Sequence, residues 1–303
     1  MNRSPTIAAA RFSSLVPPPI HPMQARLLAL VAAHRFATTT QLARLTALEY
    51  ASSASALRQT QRHLASLAQQ RLLTSLERRV GGWQGGSTVT IWAATTRGHR
   101  LVAADEGEEV ARRQRPREVS TTFLDHLLAI TEVRTSIEEA VRQEADTEAA
   151  VALEPECWRT RLDPSGQVQV LRPDLAVTIT SPAYEDRYLV EVDRATENPG
   201  RVIATCWRYQ EHQATSPASD GGVFPLVVWL VPTDRRRHRL ERAIAHSTGL
   251  LRDLFRVIRL DQLPTLIHGG PAAIPTPQAT NQVGQQTRAR TFLSGTTKHQ
   301  HPS

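Results

Sequence analysis

Apolar residues recur at helical spacing in three short segments near the start of the chain. The first segment begins at Pro22, and proline favours the first turn of a helix. The second follows the threonines at 38–40, which are good N-cap residues, and the third runs from about Ser52 to Leu72. The pattern therefore predicts three helices in the first unit of the chain.

A hairpin is predicted directly after these helices. Residues 73–80 and 87–93 have strand-like patterns, and the sequence Gly-Gly-Trp-Gln-Gly-Gly at 81–86 is typical of a turn between them. Three helices followed by a hairpin is the element order of a winged helix-turn-helix domain, which we predict over residues 21–104.

The second half of the chain combines helical patterns with apolar runs of strand length. An amphipathic helix over 121–143 comes first. The strand-length runs lie at 149–153, 168–171, 175–180, 188–192 and 224–231, and further helices are indicated at 201–212 and 234–248. This order predicts a mixed-sheet domain over residues 120–262, so the fold class of the chain is α/β (α+β).

Three segments lack a periodic apolar pattern. Residues 1–20 are rich in Ser, Pro and Ala, and residues 263–303 are rich in Gly, Pro, Gln and Thr, so we predict that both are disordered. The charged residues 105–119 are predicted to link the two domains.

The composition indicates a cytoplasmic protein without a membrane partner. No run of about 18 apolar residues is present to span a bilayer. The two cysteines, Cys157 and Cys206, have neither disulfide-framework nor zinc spacing, and we expect both thiols to be buried and reduced.

Positive charge is concentrated in the first unit. The whole chain has a net charge of +7, and its first hundred residues hold twelve arginines against two acidic residues, Glu49 and Glu77. This excess favours a polyanionic partner, and we expect double-stranded DNA.

One side of the third predicted helix has the chemistry of a DNA-reading surface. The opposite side of this helix is apolar and comprises Leu57, Leu64, Leu67 and Ala68. Arginine matches guanine, glutamine matches adenine, and serine reaches bases or phosphates. A solvated face is the alternative, but such a face usually mixes charges of both signs. The polar side comprises Ser55, Arg58, Gln59, Arg62, Ser66 and Gln69.

Arg78 and Arg79 flank the glycine-rich turn of the predicted hairpin. We predict that they contact phosphates or the minor groove of the DNA. Trp83 in the turn either joins this contact or covers the small core.

Three carboxylates form the sharpest chemical signal. Asp174 opens one predicted strand, and Glu191 and Asp193 close a later strand on the same face, because strand side chains alternate. If the two strands are neighbours, the three acids meet at one sheet edge. That arrangement suits Mg²⁺, which holds phosphodiesters and activates water, so we predict these residues as metal ligands and catalytic groups.

These motifs resemble the replication-relaxation family, which is associated with plasmids. The similarity lies in Leu-Arg-Pro-Asp at 171–174, in residues 189–197 and in Trp-Arg-Tyr at 207–209. The resemblance implies a role in plasmid replication and DNA relaxation, and a second domain similar to the PD-(D/E)xK, restriction-endonuclease-like fold. On that pattern Asp174 matches the first acid and Glu191 the second.

The nuclease pattern lacks its lysine in this chain. Asp193 stands where the pattern places it, and the single lysine, Lys298, lies in the predicted tail. Arginine stays protonated and cannot act as a base, although Arg194 or Arg201 can stabilise charge on a phosphate. His126 on the long helix is either a core residue or a phosphate contact at the acidic edge.

Three functions remain open from the sequence. The first is a replication or mobilisation factor of a plasmid or mobile element that binds DNA without cutting it. The second is a Mg²⁺-dependent DNA endonuclease or nickase, and the third is a winged-helix transcription regulator. In a catalytically silent domain we expect Asp174 to cap a turn, and Glu191 and Asp193 to pair with Arg172 and Arg194. A homodimer is compatible with each function.

Overall fold

The computed structural model describes residues 20–79, 88–105, 120–163, 165–215 and 223–278. Within these residues the predicted mixed α/β fold is confirmed. The first unit is mainly helical with a small sheet, and the second is a five-stranded sheet with helices on both faces.

The first unit has three helices followed by two antiparallel strands. In chain order its elements are α1 (Pro22–His34), β1 (Ala37–Thr38), α2 (Thr39–Leu45), α3 (Ser53–Gln69), β2 (Leu73–Arg79), β3 (Thr88–Ala94) and α4 (Thr96–Asp105). Strand β3 lies between β1 and β2. Helix α4 is absent from the sequence prediction. It contains Gly98, where a Cβ atom would lie 2.3 Å from the carbonyl oxygen of Leu72, so only glycine allows this close approach.

Capping chemistry fixes where the predicted helices begin. The hydroxyl of Thr38 accepts a hydrogen bond from the backbone N–H of Gln41 (3.1 Å), and that of Ser52 accepts one from Ser55 (3.2 Å). Pro22 lies in the first turn of α1. These caps leave the apolar sides of the helices facing one core, which includes Leu27, Leu28, Leu42, Leu64 and Leu67.

The second unit begins with the longest helix and continues into the main sheet. Its elements are α5 (Thr121–Val141), β4 (Glu148–Ala152), β5 (Arg159–Leu162), β6 (Val168–Leu171), β7 (Leu175–Thr180), β8 (Glu185–Val192), α6 (Pro199–Thr215), β9 (Leu226–Val231), α7 (Asp234–His246), β10 (Phe255–Arg259) and α8 (Leu263–Gly269). The strand order is β10-β9-β8-β7-β4, and β5 pairs with β6 in a separate hairpin. Strand β7 is antiparallel to both of its neighbours, β4 and β8. Strands β8, β9 and β10 run parallel to one another.

The two faces of the main sheet bury different helices. Val190 and Val228 pack on the side of α5 and α8, whereas Leu189 and Val227 pack on the side of α6 and α7. Because both faces are covered, β9 is apolar throughout and β8 has an uninterrupted apolar run over 188–190.

Helix α5 joins the second unit to the first. Gln41 of α2 donates to the backbone carbonyl of Leu128 (3.0 Å), and Arg44 binds Glu132 (2.5 Å) and Glu139 (2.6 and 2.8 Å). Arg142, which follows α5, returns two hydrogen bonds to the carbonyls that end α2 (2.8 and 2.9 Å). The two units therefore share a polar interface along one helix.

The prediction of a disordered tail from residue 263 is wrong for its first part. Leu263, Leu266 and Ile267 of α8 are buried in the core beneath α5, as is Ile274. The glycine and proline content of this segment favoured disorder. Three of its few apolar residues nevertheless have helical spacing and lie on one face of α8. The other predicted disordered segments, 1–19 and 279–303, and most of the predicted linker lie outside the described residues.

Both cysteines are buried and unpaired, as predicted. Burial raises the pKa of each thiol to about 12, which leaves it unreactive at neutral pH. Across the part of the chain that the structure describes, no helix is both long and apolar enough to cross a membrane.

Candidate functional site

Asp174 lies at the start of β7 and is held against the end of β8. The pairing of Leu175 with Val190 brings the residue before β7 next to Glu191. One carboxylate oxygen of Asp174, Oδ2, accepts a hydrogen bond from the backbone N–H of Val192 (2.7 Å). The side chain therefore caps the end of β8 rather than a turn.

His126 of α5 contacts the other oxygen of Asp174. Its Nε2 atom lies 3.0 Å from Oδ1, and the histidine side chain is half-buried. The hydrogen bond to Asp174 raises the pKa of His126, against the opposing effect of burial. Of the two interpretations of His126, the structure favours the one that faces the acidic strand edge. Phe123, in the first turn of this helix, is exposed, and the guanidinium of Arg35 lies over its ring.

Glu191 is half-buried beside Asp174 and receives a hydrogen bond from α6. The hydroxyl of Tyr209 donates to its Oε1 atom at 2.6 Å. Burial, and then the negative charge of Asp174, raise the pKa of Glu191 to about 8. Ionisation of Glu191 is therefore disfavoured beside the charge of Asp174.

Asp193 does not join the other two acids. Strand β8 ends at Val192, so the alternation of side chains stops before Asp193, whose backbone N–H bonds to Leu230 of β9 (2.8 Å). Its carboxylate binds Arg236 of α7 at 2.6 and 2.9 Å, and both side chains are buried. The predicted convergence of three carboxylates is wrong, because a buried arginine takes the third one. The expected pairing of Asp193 with Arg194 and of Glu191 with Arg172 is also wrong.

The described residues do not fit the Mg²⁺ ion that the nuclease resemblance implies. Both oxygens of Asp174 have protein partners, Glu191 accepts a hydrogen bond from Tyr209, and Asp193 is bound by Arg236. Throughout the described ranges, no group of three or more His, Cys, Asp or Glu side chains is arranged to hold a metal. The site is instead a hydrogen-bonded cluster of His126, Asp174, Glu191 and Tyr209.

Arg194 lies at the margin of this cluster. Its side chain is exposed, and its positive charge opposes the protonation of His126. Of the two arginines predicted to stabilise charge on a phosphate, Arg194 lies near the acidic pair, whereas Arg201 lies exposed at the start of α6.

The predicted DNA-reading residues differ in their exposure on α3. Arg58 and Arg62 are exposed one turn apart, and neither forms an ion pair within the described residues. Ser55 is occupied in the helix cap, Ser66 accepts a hydrogen bond from Gln70 (3.3 Å), and Gln59 is half-buried. The structure therefore leaves two arginines fully available to a ligand. The side chains of Arg78 and Arg79, and all of Trp83, lie outside what is described.

A family model described as Replication-relaxation matches residues 28–227, which is more than half of the chain. The chain belongs to the replication-relaxation family. Membership supports a function related to replication, and the matched segment includes α3 and the cluster around Asp174. No curated protein and no solved structure matched this replication-relaxation chain.

Sequence reasoning missed two residues that complete the site of this replication-relaxation protein. Tyr209 lies within the Trp-Arg-Tyr motif, but the motif gave no indication of its partner. Arg236 belongs to a run of basic residues at the start of α7, a composition typical of a solvated surface, yet this residue is only 5% exposed. Its spacing from Leu240 and Ile244, the buried residues of α7, was the available signal.

Proposed function

We propose that this protein binds double-stranded DNA of a plasmid or other mobile element through α3, and acts in its replication or mobilisation without cutting the DNA. The observation that carries the proposal is the exposed pair Arg58 and Arg62. Arginines without carboxylate partners on a helix face are suited to phosphates and to guanine in the major groove.

The surroundings of α3 support this proposal. It is the third of three helices and is followed by an antiparallel pair of strands, which is the order of a winged helix. Among the described side chains of this unit, the acid nearest in sequence, Glu49, is bound by Arg26 and does not neutralise α3. The second unit then serves as a scaffold that carries the DNA-reading unit on α5.

The arrangement around Asp174 argues against hydrolysis. A nuclease of this type needs carboxylates that are free to hold a metal ion, and a lysine beside them. Here Asp193 is committed to Arg236, and the chain has its single lysine at position 298. We therefore propose a nuclease-related fold that has kept its architecture and lost its metal site.

Fluorescence anisotropy with 30-bp duplexes tests the DNA contact. The duplexes are tiled across the DNA that flanks the protein's own gene, with one random sequence for comparison. We expect Arg58→Gln with Arg62→Gln to weaken binding about tenfold and to lower the slope of log affinity against log salt by about 2, because two phosphate contacts are lost.

The matched control is Arg252→Gln, which removes one exposed arginine from the short turn before β10. It should leave affinity within about twofold of the unmodified protein, since a general charge effect is small and strongly screened by salt. Equal losses in the control and the α3 variant would contradict a specific role for α3.

A further inference from the structure

A small pocket opens beside Glu191, where β6 meets α6. Its volume is about 340 Å³. The pocket is lined by Val170, Leu171, Arg172, Glu191, Thr205 and Arg208. Two of these residues are arginines and only one, Glu191, is an acid, so positive charge dominates the pocket.

Both arginines are held in place by neutral groups. Arg208 donates to the hydroxyl of Thr205, one turn earlier on α6, at 2.7 Å. The guanidinium of Arg172 stacks over the ring of Trp158, 4.5 Å from its centroid. Neither arginine forms an ion pair within the ranges that the structure describes, and both are exposed at the mouth of the pocket.

This arrangement differs from an ordinary solvated arginine. A free surface arginine loses side-chain entropy when it binds a ligand, whereas a stacked or hydrogen-bonded guanidinium has lost part of that entropy already. The two side chains also come from different elements, one following β6 and one on α6, so their donors converge on the pocket from two walls.

We propose that Arg172 and Arg208 bind a backbone phosphate of a nucleic-acid strand in this pocket. Guanidinium groups bind phosphate oxygens through paired N–H donors, and the pocket has room for a phosphate with an adjoining sugar. The inference rests on the proposed function and deepens it, because it gives the second unit a DNA contact separate from α3. Exposure of both arginines suits a polymer that enters at the surface and continues past the pocket.

The test uses the full chain and replaces both arginines. Arg172→Gln with Arg208→Gln is compared with the α3 double variant and with the control Arg252→Gln. A fluorescent 30-bp duplex and a 30-nucleotide single strand are titrated over a range of salt concentrations. We expect about tenfold weaker binding to at least one of these probes, and a salt slope lower by about 2.

A lysine variant separates charge from geometry. Arg172→Lys with Arg208→Lys keeps both charges but loses the paired donors, so we expect an affinity between those of the unmodified and glutamine proteins. Far-UV circular dichroism and the thermal midpoint should match the unmodified protein, because both replaced side chains are exposed.

The outcomes distinguish this inference from the proposed function. If the α3 variant loses affinity and the pocket variants match the control, the phosphate site is wrong and DNA binding by α3 stands. If the α3 variant matches the control but the pocket variant is weaker, the phosphate site stands and the role of α3 fails. Saturable binding of inorganic phosphate or a mononucleotide, without binding of either oligonucleotide, would overturn the assignment to a nucleic-acid strand.

Discussion

The guanidinium of Arg236 binds both carboxylate oxygens of Asp193, at 2.6 and 2.9 Å, in the interior of the second unit. A buried ion pair of this kind is stable only while both partners are present. It also removes from the strand edge the carboxylate that stands in place of the nuclease lysine. The acidic residue at this position therefore has a buried partner within the protein.

We expect no metal-dependent cleavage of DNA. Purified protein incubated with supercoiled plasmid should yield the same small nicked fraction in Mg²⁺, Mn²⁺ or EDTA, and the same fraction for Asp174→Ala. Gel electrophoresis measures the nicked and linear forms. Nicking that requires the metal and disappears in Asp174→Ala would show a working nuclease.

Breaking the Asp193–Arg236 pair should destabilise the fold strongly. Asp193→Asn and Arg236→Met each leave a buried group without its partner, and we expect each to lower the free energy of unfolding by about 3 to 5 kcal/mol. The double variant should lose much less than the sum of the two. Urea denaturation of all four proteins measures this coupling, and simple additivity would mean that the two side chains do not depend on each other.

Glu191 should make the protein less stable as pH rises. Its pKa is about 8 in the folded protein against an ordinary value of 4.5, so folding opposes ionisation. The unfolded chain releases the proton first, and stability therefore falls between pH 4.5 and pH 8. The glutamine in Glu191→Gln cannot ionise, so this variant should lose less stability than the unmodified protein over the same pH range.

Urea denaturation at pH 5 and pH 8 measures that difference. The control is Glu148→Gln on β4, an exposed glutamate, which should behave as the unmodified protein does. If Glu191→Gln and the unmodified protein lose equal stability between the two pH values, the pKa of Glu191 is not raised as predicted.

His34 should destabilise the protein in acid. Burial, and then the positive charge of Arg134, lower its pKa to about 4 from an ordinary value of 6.5. The unfolded chain binds the proton first, so stability falls as pH drops from 6.5 towards 4. Between pH 7 and pH 4.5 we expect this residue to account for about 2 kcal/mol.

His34→Gln should reduce that acid sensitivity, and His246→Gln at an exposed position should not. The unfolding free energy at the two pH values gives the comparison. An NMR titration of the His34 ring in the unmodified protein checks the cause independently of the variant. A ring pKa near 6.5 would contradict the prediction.

The sequence predicted best what depends on neighbouring residues. Thr38 and Ser52 begin their helices because a cap acts within one turn. Asp174 and Glu191 meet because β7 and β8 are consecutive antiparallel strands, so the short connection between them sets the register.

What the sequence did not predict depends on contacts between distant segments. Asp193 and Arg236 are 43 residues apart, and nothing local to either one specifies the other. Tyr209 reaches Glu191 only because α6 packs on the sheet face that Glu191 occupies. Strand β10 and helix α8 were not predicted because they are stabilised by contacts with distant elements. Strand β10 pairs with β9, and α8 packs against α5.

Helix α5 links the first unit to the acidic cluster. Its Glu139 end is bound by Arg44 of α2, and its His126 end is bound by Asp174. About 20 Å of continuous helix lies between these two contacts. A displacement of α2 would therefore act on the same helix that carries His126, so the position of the first unit and the hydrogen bond at Asp174 would change together.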